Sequence, residues 1–226
     1  EMLQFLRYKP IWAAFAATLI VGTGSSIAGG AGAYFYTYVL GDMKLMSGVS
    51  IIGLIASLVG IVMGPYLANR FGKKKVYLTA VIISTALNLL RLLDVTSMIL
   101  IYISALIGGV AGGWMVPVST SIQADNTTYV QYKTGKRAEA AIASLTSFVS
   151  KVAQGLGGAI PGYVIAAYGF VTGASVQPES INTGIILCAL ILPLIFGILG
   201  SLIFGTQYTL DQKAVIEMDA KINRNN

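Results

Sequence analysis

The sequence predicts an all-α membrane protein of six spanning helices, and three observations carry that reading. Of 226 residues, 55% are apolar and only 11% charged, against about 25% charged in globular chains. With a mean hydropathy of +0.75, a water-facing surface cannot be covered. Second, charge-free stretches recur at 10–41, 45–69, 76–90, 95–124, 140–150 continued by 152–178, and 180–210. All but the third reach the roughly 20 residues that a helix needs to cross about 30 Å of hydrocarbon. The third gains Arg91, Leu92 and Leu93 if Arg91 snorkels to the interface. Third, the basic residues are segregated. With six spans, Arg7, Lys9, Arg70, Lys73, Lys74, Lys75, Lys133, Lys136, Arg137, Lys213, Lys221 and Arg224 share one face, against Lys44 and Arg91 on the other. The positive-inside rule then makes both termini cytoplasmic in a multi-pass cell-membrane protein. The expected spans are about 10–40, 46–69, 76–93, 97–123, 139–168 and 181–206. Residues 1–226 form a single bundle, with 207–226 a cytoplasmic tail.

Other function classes fall away. The chain has no histidine and one cysteine, Cys188, which removes Ser-His-Asp and Cys-His nucleophile systems, imidazole metal sites and disulfides. An enzyme is not expected, nor is a metal site within this chain. The net charge of +6 belongs to residues that bias insertion and meet anionic headgroups. Nucleic acid is therefore not an expected partner, and the lipid bilayer is.

Along the chain, Pro10 suits the first turn of a helix, and Trp12 sits where an interfacial anchor belongs. Tyr34, Phe35, Tyr36 and Tyr38 crowd the outer end of the first span, either as an aromatic belt or as the lining of a solute path. The second span ends in the basic turn Asn69-Arg70-Phe71-Gly72-Lys73-Lys74-Lys75. The third returns through a short outer loop, 94–97, into the fourth. Basic sequence over 125–138 leads to the fifth span, and the outer loop 169–180 to the sixth. Gly60/Gly64, Gly108/Gly112, Gly109/Gly113 and Gly158/Gly162 are four apart, so each pair predicts a smooth face for close helix approach. Pro65, Pro117, Pro161 and Pro193 adjust the shape of the bundle or permit the bending that alternating access requires.

Two residues stand at mid-depth. Lys151 lies twelve positions beyond Glu139, about 18 Å into the membrane. An ammonium there costs at least about 2.5 kcal/mol and demands a partner, water or the protein interior. Ser144, Ser147, Lys151 and Gln154 follow helical steps and form one polar stripe, which predicts an interior face. No carboxylate of this chain is at comparable depth, so the counter-charge is expected from outside it. Trp114 lies about 16 Å inward from Asp125, flanked by Gly112 and Gly113, with room for a flat ligand or an ordinary packing partner. Ser119, Thr120, Ser121 and Gln123 add hydroxyl and amide groups downstream.

Ala124-Asp125, Tyr129, Lys133-Thr134-Gly135, Arg137 and Glu139, followed by Lys151, resemble the loop between helices ten and eleven of the glycoside-pentoside-hexuronide:cation symporters, the melibiose permease family of the major facilitator superfamily. The turn Asn69-Arg70-Phe71-Gly72-Lys73-Lys74 occurs two spans earlier, where that superfamily places one. The resemblance covers essentially the whole chain as the carboxy-terminal six helices of a twelve-helix protein. Thr128 stands where the family usually has a second acid, and Ala140 where it has Gly.

The resemblance implies secondary active transport of a sugar or glycoside with Na⁺ or H⁺ as coupling cation and no other cofactor. Substrate would sit between two six-helix halves, with Trp114, Ser147, Lys151 and Gln154 as substrate-binding candidates. Asp125, Tyr129, Lys133, Arg137 and Glu139 form a candidate gating loop in which ion pairs latch two spans. Asn69, Arg70, Gly72 and Lys73 form the cytoplasmic basic turn. The expected partner is an amino-terminal six-helix half, the source of the cation-site carboxylates in relatives, or a second copy. A start at Glu1 in loop-like sequence suggests a fragment. Two alternatives stay open: a carrier of non-sugar solutes, and a structural membrane subunit without transport of its own.

Overall fold

The computed structural model describes residues 7–136, 138–174 and 176–224, and the regular structure among them is helical. Arg137, a member of the candidate gating loop, lies outside the described residues. Helix α1 spans Lys9–Tyr34, with Pro10 in its first turn, and runs on through a π-helical turn, Phe35–Val39. Helix α2 is Lys44–Phe71 and α3 is Lys73–Arg91, separated by Gly72 alone. Helix α4 is Met98–Thr134, α5 is Glu139–Ala167 and α6 is Ser180–Ile186. A second π-helical turn, Leu187–Ile191, joins α6 to α7, Leu192–Gln207, just before Pro193. Helix α8, Gln212–Arg224, follows a short linker.

Among the described residues, four stretches are long and apolar enough to cross a membrane: Lys9–Val39, Lys44–Phe71, Met98–Thr134 and Ser180–Gln207. Helices α3 and α5 fall outside that set. Helix α3 has only 19 residues, with lysines in its first turn and Arg91 at its end, and α5 carries the Ser144-to-Gln154 polar stripe.

Two expectations change. The segment after residue 123 was expected to leave the membrane as a loop, yet α4 continues helically to Thr134. Its inner face remains sealed: Asp125, Asn126 and Val130 are buried, and Val130 packs with Ile11, Phe15, Ala138 and Ile142. The helix stops at Gly135, whose φ of 68° is left-handed and whose N–H donates to the Gln131 carbonyl at 2.8 Å; glycine adopts that conformation without penalty.

The glycine pairs also divide. Gly60 and Gly64 face α4, and Gly109 and Gly113 face α2, so tightly that a Cβ at Gly60 would strike the Val110 carbonyl and one at Gly113 the Ser57 carbonyl. On the other seam, a Cβ at Gly157 of α5 would strike Ser26 of α1. Gly112, Gly158 and Gly162 instead meet open space, and Gly108 only ordinary contact with Leu87. Spacing of four therefore identified two packed pairs and left two unpacked, because it cannot say which side of a helix meets a neighbour.

Helix α1 also packs on α7, and α3 on α4 and α7. At the end carrying the lysine turn, Phe204 stacks on Tyr208 with ring centroids 4.5 Å apart and meets Tyr77 at a tilt of 42°, 4.4 Å away. At the opposite end, Tyr34 and Tyr38 stack on each other and meet Phe170 edge-on. The outer face of α2 is left uncovered: Ile51, Leu54, Leu58 and Val62 are exposed.

The seam yields a paired test. Gly113→Val should destabilise the protein by at least about 2 kcal/mol, since backbone cannot yield as a side-chain tip can, whereas Gly112→Ala should stay within about 0.5 kcal/mol. Thermal unfolding in detergent, followed by circular dichroism, reads both; equal effects would show that the seam does not hold the pair.

Candidate functional site

Between α1, α4 and α5, where few residues of α4 touch α5, lies a cavity of about 300 Å³, at the small end of ligand sites. Three short polar stripes meet there. Helix α1 contributes Thr18 and Ser25, α4 contributes Ser119, Gln123 and Asn126, and α5 contributes Thr146 and Ser150. Within each helix the members are three, four or seven apart, so they stand on one face. Ala14, Phe15, Val21, Met115, Ile122 and Phe204 complete a mostly apolar wall.

Among the described residues no charged side chain lines the cavity, so its chemistry is hydroxyl and amide hydrogen bonding. The Thr18 and Thr146 hydroxyls donate to the carbonyls of Ala14 and Ile142, each at 2.8 Å, which leaves their oxygens as acceptors. Asn126 is 2% exposed, and its Oδ1 has no hydrogen-bond partner. A buried amide oxygen costs about 1–3 kcal/mol when unsatisfied, so a hydroxyl-bearing ligand would recover that cost.

The sequence-chosen residues are dispersed. Ser119 and Gln123 line the cavity, while Trp114, Ser147, Lys151 and Gln154 do not. Ser144, Ser147, Lys151 and Gln154 do share a face, but it is the exposed face of α5. Within this chain α5 buries Ile142, Ala153, Gly157, Pro161 and Ile165, so the opposite, polar side turns out. There the Lys151 ammonium donates to the Gln154 Oε1 at 3.3 Å, a neutral partner. Trp114 packs against the cluster around Tyr77 and Phe204. Gly113 beside it is occupied by α2, so the open space expected there exists only at Gly112.

The basic turn and the α4–α5 connection adjoin, through a different pairing from the one expected. Lys73 donates to Asp125 Oδ1 at 2.6 Å, with side-chain exposures of 21% and 10%. Asp125 thus binds α3 to α4 and does not pair with Lys133. The Lys133 ammonium instead lies 5.8 Å from the rings of both Tyr129 and Tyr132, within cation–π range. Tyr129 also meets Tyr8 edge-on at 5.7 Å. Glu139 opens α5, where a carboxylate is favoured by the helix dipole.

In the basic turn, Arg70 donates to the Tyr66 hydroxyl at 3.1 Å, and Asn69 is exposed. Gly72 has φ 88° and starts α3 at Lys73, which is why the next residue can reach back to α4. The Tyr208 hydroxyl is buried near this pair without a hydrogen-bond partner. Burial first, and Asp125 second, push its pKa up, so it stays a neutral phenol.

Sequence reading missed Thr18, Ser25, Asn126, Thr146 and Ser150. Their signal was present as steps of three, four and seven on separate helices, but only packing unites them.

Residues 1–212 match the model of the MFS/sugar transport protein family. The chain belongs to that family. This sugar-transport-family chain is 30% identical over 220 residues to the uncharacterized symporter YjmB of Bacillus subtilis (strain 168), covering 95% of the chain and 47% of that relative. It is 28% identical to the glucuronide carrier protein homolog of Escherichia coli (strain K12), covering 94% and 48%. It is likewise 28% identical to the isoprimeverose transporter of Lactiplantibacillus pentosus, covering 66% and 31%. The chain spans about half the length or less of these curated relatives.

Removing Lys73 from the α3–α4 pair leaves the buried Asp125 carboxylate without its ion-pair partner. Lys73→Met should lower stability by about 2 kcal/mol, a value reduced from that of fully buried pairs because Lys73 is partly exposed. The double variant Lys73→Met/Asp125→Asn should recover at least half of the loss; additive losses in thermal melts would show that the two do not interact.

Proposed function

We propose that this chain is the carboxy-terminal half of a secondary active transporter that carries a sugar or glycoside together with Na⁺ or H⁺. It is a carrier and not an enzyme. The observation that carries the reading is the uncharged cavity between α1, α4 and α5, whose hydroxyl and amide groups suit a polyhydroxylated, uncharged solute. The matched relatives, a glucuronide carrier homolog and an isoprimeverose transporter among them, favour glycosides over other solutes.

In this reading all six segments span the bilayer: α1 to α5 each once, and α6 with α7 as one. Helices α3 and α5 are tolerated because their polar faces meet protein or water. Both ends of the chain, with the Lys73–Asp125 pair, lie on the cytoplasmic side, as the basic residues require.

The Ser147–Lys151–Gln154 face of α5 meets a second six-helix unit, which supplies the carboxylates that balance Lys151 and hold the coupling cation. That unit is an amino-terminal half encoded with this one; a second copy of this chain is the other arrangement that would cover the same face. Tyr129, Lys133, Arg137 and Glu139 then gate the cytoplasmic mouth, with the Lys73–Asp125 pair fixing the ends of α3 and α4 beside them. Trp114 supports the cavity wall from behind through its packing.

Radiolabelled glycoside counterflow in proteoliposomes tests the proposal. This chain alone should show none, and joining it to an amino-terminal half should produce it. In the joined carrier, Lys151→Ala should abolish uptake, while Gln123→Ala and Asn126→Leu should each reduce it roughly tenfold or more, the cost of one lost ligand hydrogen bond in a dry site. Unchanged uptake in both cavity variants would remove the cavity from the solute path, and counterflow by this chain alone, lost in Lys151→Ala, would favour the second copy.

A further inference from the structure

At the end of the bundle opposite the Lys73–Asp125 pair, a second polar cavity of about 220 Å³ is enclosed by the π-helical turn after α1 and by α2, α3 and α4. It shares no residue with the cavity between α1, α4 and α5. Its polar lining is Tyr36, Ser84, Asn88, Arg91 and Ser104. We infer that this pocket binds a phosphate group, with the Arg91 guanidinium as its charged anchor.

The first argument is charge. Arg91, the last residue of α3, lies about 27 Å along that helix from Lys73. A guanidinium is always protonated, and its Nε is buried without a hydrogen-bond partner. Its contact is with the face of the Phe35 ring, 5.0 Å from the centroid, which attracts a cation but accepts none of its five N–H bonds. The nearest carboxylates in sequence are otherwise engaged: Asp94 accepts from the Thr96 N–H and hydroxyl at 3.1 and 3.0 Å, and Asp42 from the Lys44 N–H at 2.8 Å. Among the described residues no carboxylate lines the pocket.

The second argument is the donor set. Ser104 Oγ is also buried without a partner, so two helices present unsatisfied polar groups to one cavity. Ser84, Asn88 and Arg91 are four and three apart and stand on one face of α3. A fork of N–H groups backed by hydroxyl and amide donors matches a tetrahedral oxyanion. The adjoining turns of α3 and α4 expose Leu89, Leu90, Ile103 and Leu106, along which acyl chains would lie if the phosphate belongs to a phospholipid; inorganic phosphate is the other source of the same chemistry.

The test uses the whole membrane protein purified in mild detergent, with native mass spectrometry against dioleoyl-phosphatidylglycerol and phosphorus NMR against inorganic phosphate. Wild-type protein should retain one equivalent, Arg91→Gln should weaken binding about tenfold, and Arg91→Lys, which keeps the charge but loses the fork, should fall between the two. Saturable lipid retention that millimolar phosphate does not displace identifies a headgroup site, whereas binding of phosphate alone identifies a free-anion site. Should Arg91→Gln unfold, Asn88→Leu and Ser104→Val replace it, each expected to weaken binding severalfold. Equal retention by wild type and these variants, or an equal loss in Lys44→Gln, a lysine outside the pocket, would overturn the inference.

Discussion

Close backbone approach at two glycine seams is the constraint from which the rest of this bundle follows. In a bilayer, apolar side chains gain little by leaving lipid for each other, so helices associate through close packing and a few polar contacts. Gly60, Gly64, Gly109 and Gly113 bring α2 and α4 into backbone contact, and Gly157 does the same for α5 against α1. Each seam commits one side of its helices. The two pairs then part from each other, and the polar stripes of α1, α4 and α5 are left facing a common space.

Charge is distributed to suit that arrangement. The described ion pair Lys73–Asp125 sits at one end of the bundle, where Gly72 turns α2 into α3, and ties α3 to α4 without reaching the cavity. The cavity lining is hydroxyl, amide and apolar among the described residues. Lys151 stands outside both, on the exposed polar face of α5 with Ser144, Ser147 and Gln154. A charge placed so is stable beside water or a complementary polar surface, not beside hydrocarbon.

The helical class, the membrane setting and the family were legible in the sequence. The role of Gly135 was not: the Lys-Thr-Gly run carried the resemblance, but only the structure shows α4 ending there with a left-handed glycine. The cavity-lining residues were less legible. Lys151 and Trp114 drew attention because single charged or aromatic residues at mid-depth are unusual, whereas Thr18, Ser25, Asn126, Thr146 and Ser150 are ordinary one at a time. Asp125 was read as part of a loop because charge usually marks the membrane edge; in the structure it lies within α4, buried against Lys73.

The sequence by itself determined that this chain is helical, lipid-adapted and basic at one end, because backbone satisfaction in hydrocarbon and headgroup electrostatics act on composition and order alone. Only the tertiary structure decided which side of each helix is buried. Four-residue spacing marks a small face without naming its partner, and polar residues on three helices become a site only after rigid packing has turned them toward one another.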